Sequence, residues 1–259
     1  YISKCVDESH LQKGTYNYSL NTMIEAFNPE RLGGIANIVV IGAGETLIDE
    51  RIVHFIHGLL KQGHVVEVVT NLTLNNRIDE LLNLPEHYLK RLIVKGSLHW
   101  NELKRLNKVD DYFNNMNKIL SKGASAFPFL VCGDSYVPYL DEIRQTCLDK
   151  INVLPHCTPA MKYSEKSDIA RNGKVQTSPD CTEEFVNNIM NLFDSKIFDL
   201  SANWIDIDPK KIFCYAGKWS FGVLLENGLL NKCHACPSEG NFFENIKKMP
   251  KLEAIGKNC

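Results

Sequence analysis

The segment Ile38-Val-Val-Ile-Gly-Ala-Gly-Glu-Thr46 constrains the fold of this chain more than any other. An apolar, β-branched run leads directly into two glycines and an acid. A short apolar run bounded by glycine is the pattern of a buried parallel strand. Glycines at its carboxyl end let a ligand approach the backbone with no Cβ in the way. In open and barrel α/β folds, that end of the strands is where ligands bind. Two ligand chemistries compete for the stretch. Gly42 and Gly44 begin a dinucleotide fingerprint, G-x-G-x-x-G, but Leu47 stands where its third glycine belongs. A strand-end Gly-Glu suits an amino-acid-like ligand held by backbone groups and one carboxylate. A plain strand-to-helix turn has the same residues.

The rest of the chain repeats the strand-then-helix unit. Strands are expected at Asn37–Ile41, His64–Asn71, Leu89–Leu98, Ser125–Cys132 and Ile151–Leu154. Helices are expected at Asp49–Gln62, Ile78–Leu84, Tyr112–Leu120 and Val137–Lys150, with a further one before the first strand at Asn21–Phe27. This spacing is that of right-handed parallel crossovers. The expected fold class is α/β, a parallel sheet left open or curled into a partial barrel. After Met161 the pattern breaks. Lys162–Cys181 reads as a polar loop, and Thr182–Phe193 as an amphipathic helix capped by Thr182. Trp219–Leu225 and Leu229–Cys233 read as a hairpin turned by Glu226-Asn-Gly228.

With 259 residues, 44% of them hydrophobic, the chain has ample material for a large core. A net charge of -2 implies no nucleic-acid-scale positive field. No apolar run is long enough to span a bilayer, so neither a nucleic acid nor a membrane is expected as a partner. Nine cysteines at irregular spacing do not form a disulfide framework. Cys132, Cys147 and Cys157 fall within regular elements and read as buried thiols.

Four strand ends should deliver residues to one rim: Gly44 and Glu45, Thr70 and Asn71, Ser97 and His99, Gly133 and Asp134. One Glu with small polar groups suits a zwitterionic amino acid and ribose hydroxyls. A phosphate calls for a Gly-rich nest and a cation instead. In the tail, Cys233-His-Ala-Cys236 is a C-x-x-C pair on a hairpin edge. Cys214 near the hairpin start and Cys259 complete a candidate set of four thiolates, which suits zinc or an iron–sulfur cluster. His234 reads as a loop residue. His54 and His57 lie one helical turn apart with no third ligand apparent.

With these residues placed, the chain resembles the radical S-adenosylmethionine proteins that carry a SPASM or twitch-type extension. Ala43-Gly-Glu-Thr-Leu-Ile48 resembles the family's Gly-Gly-Glu-Pro motif. Val68-Val-Thr-Asn-Leu-Thr73 resembles its Thr-Asn-Gly-Thr strand end, and Gly96-Ser-Leu-His99 its fourth-strand Ser-Leu segment. Phe213-Cys-Tyr-Ala-Gly217, Asn227-Gly228 and Cys233 are similar to the opening of its auxiliary-cluster domain. Ala43, Thr46 and Leu72 depart from the pattern, replacing Gly, Pro and Gly. The family's C-x3-C-x2-C cluster loop is absent, and Tyr1-Ile-Ser-Lys resembles the residues just after it.

The resemblance implies a partial (β/α)6 TIM-type barrel over 1–200 and a small cysteine-rich β-hairpin extension over 201–259, each shortened by truncation. It implies S-adenosylmethionine held by Gly42, Ala43, Gly44, Glu45, Thr70, Asn71 and Ser97. It implies a [4Fe–4S] cluster whose ligands precede Tyr1, and an auxiliary cluster at Cys214, Cys233, Cys236 and Cys259. The implied activity is reductive cleavage of S-adenosylmethionine to a 5′-deoxyadenosyl radical, which abstracts hydrogen from a peptide, sugar or metabolite. The chain as it stands, lacking the cluster loop, is expected to be inactive. A reductant such as flavodoxin or ferredoxin and a cytoplasmic location follow from the same resemblance. Two other readings stand beside it. One is a Rossmann-type oxidoreductase binding NAD or FAD, with Glu67 on the ribose; the other is a non-catalytic module stapled by zinc.

Overall fold

The computed structural model describes residues 15–163, 176–179, 182–204, 211–233, 236–249 and 252–257. Cys5, His234, Cys259 and most of the expected loop 162–181 lie outside the described residues. Five strands, β1 (Asn37–Val40), β2 (Val65–Thr70), β3 (Leu92–Ser97), β4 (Ser125–Cys132) and β5 (His156–Pro159), form one sheet in chain order. β1 to β4 pair in parallel, with Val39 opposite Glu67, Glu67 opposite Ile93, and Ser97 opposite Phe129. The sheet is a curled half-barrel, the partial TIM-type architecture that the strand–helix spacing implies.

Strand alternation decides which face each side chain takes. Val66, Val68, Leu92, Val94 and Leu130 are fully buried beneath the helices, whereas Glu67, Ile93, Lys95, Ser97, Phe127 and Phe129 point to the other, inner face. The helices packed outside are α3 (Glu50–Lys61), α4 (Asn75–Leu81), α5 (Glu86–Leu89), α6 (Trp100–Arg105), α7 (Val109–Ser121) and α8 (Leu140–Ile151). Upstream lie α1 (Leu20–Ala26) and α2 (Pro29–Leu32). α3 shows why its sequence is helical. Ile52, Val53, Phe55, Ile56, Leu59 and Leu60 bury one face, and the Asp49 side chain caps the Arg51 N–H at 2.9 Å. Gly63, at φ +98°, ends it: the His64 N–H reaches Leu59 O and the Gly63 N–H reaches Leu60 O, a Schellman closure. Among the described residues, no helix is long and apolar enough to cross a membrane.

Three expectations change. Ile151–Leu154 is not the fifth strand. Ile151 is the last residue of α8, and Asn152 closes that helix in the left-handed region at φ +54°. Val153 is then exposed, and the strand forms five residues later, where Cys157 is fully buried. α5 and α6 were not expected. α6 buries only Trp100 and Leu103, too few apolar positions to betray a helix. The ends of the expected loop also pair, as β6 (Met161–Tyr163) against antiparallel β7 (Gln176–Pro179).

By contacts the chain divides into two compact units. The first holds Phe27–Leu130 and Pro138–His156, with the described end of Tyr1–Thr15. The second holds Tyr16–Ala26, Val131–Val137 and the described part of Cys157–Cys259. In the second, α9 (Glu183–Phe193) begins as expected, with Thr182 Oγ1 accepting from the Phe185 N–H. It is followed by α10 (Lys196–Trp204). The hairpin forms as β8 (Gly222–Val223) against β9 (Leu229–Asn231), with Gly228 at φ +76°, and β10 (Ser238–Asn241) adds a third strand. The Tyr18 ring packs 5.1 Å from that of Phe243, and Asn241 Nδ2 donates to Tyr18 Oη, so residues near the start of this unit are stapled to its end.

Fully buried His64 ties the first unit together at the base of β1. Its Nδ1 accepts from the Ala36 N–H at 3.1 Å, which leaves Nε2 to donate to Phe27 O at 2.7 Å. Burial holds its pKa below the usual 6.5, against the pull of the two backbone bonds. A lowered folded-state pKa supplies stability that is present above 6.5 and lost as pH falls through the folded value. Urea unfolding midpoints are therefore expected to fall as pH drops below about 6.5, and this component should vanish in His64→Gln.

Candidate functional site

The carboxyl ends of β1 and β2 meet at one carboxylate. Glu45 Oε1 accepts from Thr70 Oγ1 at 2.6 Å and from the Leu47 N–H at 2.9 Å. Its Oε2 accepts from the Asn71 N–H at 2.8 Å. A carboxylate offers about four lone-pair positions, so one remains, on Oε2. Burial pushes the pKa of Glu45 up, and the bonds from Thr70, Asn71 and Leu47 pull it down, burial prevailing. A bound ammonium group at the remaining position would favour the ionised form.

Beside this carboxylate the backbone is bare. Gly42, Ala43 and Gly44 are exposed, and the Gly42 N–H is turned in to Thr46 Oγ1 at 2.9 Å. A Cβ on Gly42 would stand 3.2 Å from the Thr46 Cα, a tight contact that the turn would have to ease by a few tenths of an ångström. The loop after β2 is held in an uncommon shape. Leu72 has φ +57°, a region costing a branched side chain about 1–2 kcal/mol. Three contacts hold it there. The Leu72 N–H reaches Thr70 Oγ1, Asn115 Nδ2 donates to Leu72 O at 2.9 Å, and the side chain is fully buried. Its end lies over Gly96: a Cβ on Gly96 would come within 2.6 Å of Leu72 Cδ1, 2.7 Å of Tyr112 Oη and 2.9 Å of Met116 Cε. Tyr112 Oη also donates to Gly96 O at 2.8 Å.

Gly42, Ala43, Gly44, Glu45, Thr70 and Asn71 are thus brought together. Thr70 and Asn71, expected to face a ligand, spend the Thr70 hydroxyl and the Asn71 N–H on Glu45. The Asn71 Oδ1 closes a local turn with the N–H and hydroxyl of Thr73. Ser97 stands on the inner face two strands from β1, and its hydroxyl has no hydrogen-bond partner among the described residues. His99 follows it, and burial lowers its pKa to about 4, so it is neutral near pH 7. Gly133 and Asp134 belong to the second unit, where Asp134 Oδ1 accepts from the Thr182 N–H. Lys95 and Phe129, which share the inner face with Ser97, were not singled out from the sequence. Their signal was a charged residue inside an apolar strand.

The dinucleotide geometry is disfavoured by charge. Glu45 and Asp49 side chains occupy the N–H groups of Leu47 and Arg51, and Glu50 adds a third acid to the helix start. A pyrophosphate requires those N–H groups free and the local field positive. Leu47 is also fully buried where the fingerprint needs glycine.

In the second unit, Cys233 and Cys236 bracket one turn, with the Cys236 N–H on Cys233 O at 3.0 Å. Cys214 forms a two-bond antiparallel bridge with Gly256, three residues before Cys259 in sequence. Among the described residues, no group of three or more His, Cys, Asp or Glu side chains is placed to hold a metal ion. His57 Nε2 lies 3.0 Å from Leu81 O, a structural contact, and His54 lies 3.6 Å from Glu80.

No family model and no curated protein matches the chain. Solved structures do. The crystal structure of Streptococcus suis SuiB matches with a TM-score of 0.56 at 11% identity, covering 89% of this chain and 59% of that one. SuiB bound to S-adenosylmethionine matches with a TM-score of 0.55 at 12% identity, over 88% of this chain and 56% of that one. The chain therefore spans less than two thirds of these structures, and the likeness is one of fold.

Glu45 provides a direct test of the rim. A folded-state pKa raised above 4.5 supplies stability that is present below that value and lost as pH rises through the folded pKa. Relative to Glu45→Gln, the wild type should lose stability as pH rises upward from about 4.5, read by urea unfolding. A difference that does not vary with pH would contradict the assignment.

Proposed function

We propose that the intact protein is a radical S-adenosylmethionine enzyme and that the Glu45 rim is its cofactor site. One observation carries the reading: a half-open carboxylate with one acceptor position left stands beside the exposed backbone of Gly42, Ala43 and Gly44. It stands at the carboxyl end of the strands in a fold like that of a structure bound to S-adenosylmethionine. An amino-acid ammonium fits that position; a phosphate does not.

In this reading each residue has a distinct task. Glu45 accepts the methionyl ammonium through Oε2. Gly42, Ala43 and Gly44 let the methionyl chain lie close to the backbone. Thr70 and Asn71 act through Glu45, fixing its rotamer and favouring its ionised form against burial. The Ser97 hydroxyl, without a hydrogen-bond partner among the described residues, serves the ribose. Burial keeps His99 neutral, so it adds no charge of its own. With its cluster, S-adenosylmethionine supplies hydrogen abstraction by a 5′-deoxyadenosyl radical, and the protein's share is binding, orientation and exclusion of side reactions.

The [4Fe–4S] cluster needs three cysteines that this sequence does not contain in the family's spacing. Cys214, Cys233, Cys236 and Cys259 are proposed as auxiliary-cluster ligands. The Cys233–Cys236 turn supports the pairing of those two cysteines, and the Cys214–Gly256 bridge joins Cys214 to the end of the described chain. A flavodoxin- or ferredoxin-type reductant and the reducing cytoplasm complete the proposal.

The test uses the full-length protein, reconstituted anaerobically with iron and sulfide. On addition of dithionite and S-adenosylmethionine, 5′-deoxyadenosine is expected, and Glu45→Ala should reduce its rate by about tenfold or more, at least 1.4 kcal/mol. Cluster-loaded protein that binds S-adenosylmethionine and yields no 5′-deoxyadenosine would overturn the reading.

A further inference from the structure

The inner face of the sheet carries a cation that the cofactor site does not use. Lys95 lies on β3 and stands opposite Phe127 in the register. Its ammonium, however, lies 3.7 Å from the ring centroid of Phe129, which is the partner of Ser97. The side chain therefore leans one pleat toward the carboxyl rim and brings its charge to the level of Ser97. Among the described residues, Lys95 Nζ has no hydrogen-bond or ion-pair partner. The aromatic face holds one side of the ammonium and leaves its donors free on the other. Burial lowers the Lys95 pKa, partly offset by Glu67, which stands opposite Ile93 and lies one pleat further from the rim.

The surroundings are apolar and open. Val39 and Ile41, on the same face at the end of β1, are 51% and 68% exposed. A closed barrel fills this space with its own side chains. Phe127 continues the apolar floor and stacks edge-on with His156 at 5.0 Å. A cation with unused donors above an open apolar floor fits an anionic group on an otherwise apolar molecule.

We propose that Lys95, seated on Phe129, anchors a carboxylate of the substrate, whose apolar body lies along Phe127, Phe129 and the open end of β1. This inference rests on the cofactor reading for what counts as substrate. The Glu45 carboxylate lies against Thr70 and Asn71 at the end of β2, one strand from β3, so the experiment must separate a substrate carboxylate from the cofactor's own.

The experiment is trinitrobenzenesulfonate labelling of the folded chain, with each lysine read by peptide mass spectrometry. The carboxylate 3-phenylpropionate is expected to slow Lys95 labelling saturably, by about tenfold, while other lysines are unaffected. The neutral 3-phenylpropionamide should leave Lys95 unprotected. Equal protection by acid and amide, or none by the acid, overturns the subsite. Protection by S-adenosylmethionine alone assigns the anion to the cofactor and also overturns it. Equilibrium dialysis of S-adenosylmethionine on the same preparation keeps the two readings apart. Protection without cofactor binding sinks the cofactor reading and leaves the subsite standing, and cofactor binding without protection does the reverse.

Discussion

One carboxylate joins the ends of two strands, and the rim depends on it. Glu45 takes a hydroxyl from β2, an N–H from the loop after β2, and an N–H from its own turn. Hydrogen bonds to a charged acceptor are each worth about 1.5–3 kcal/mol net, more than neutral ones. They work against burial, which disfavours the ionised state. The group is therefore held in place while its charge is only partly satisfied. That balance is what a binding site for a small cation requires: a fixed acceptor with a position to spare.

The loop after β2 extends the same logic into the core. Leu72 adopts a backbone shape that favours glycine and is kept there by buried contacts from α7 and β3. Gly96 lacks a Cβ so that Leu72, Tyr112 and Met116 can close over it. In the family the chain resembles, the position of Leu72 is glycine. The positive φ found here explains that preference, and Leu72 shows how a side chain can satisfy it when packing compensates.

Much of this was legible in the sequence because periodicity and glycine carry it. β1 to β4, α3 and α7 follow from apolar spacing, and the hairpin follows from Asn227-Gly228. The parts that escaped were set by tertiary contact. α6 rests on two apolar residues, and β5 was displaced because Ile151 belongs to the helix that Asn152 ends. At the site, the grouping of Gly42–Glu45 with Thr70 and Asn71 could be read from strand ends. The turning of the Thr70 hydroxyl and the Asn71 N–H toward Glu45, and the lean of Lys95 toward Phe129, depend on rotamers and loop geometry that no spacing encodes.

The central claim is that the Glu45 rim binds an amino-acid ammonium attached to a nucleoside. Equilibrium dialysis comparing S-adenosylmethionine with 5′-methylthioadenosine, which lacks the amino-acid end, tests it most directly. The account predicts that S-adenosylmethionine binds about tenfold tighter or more, and that Glu45→Gln erases the difference. Equal affinity for the two nucleosides in the wild type would contradict it.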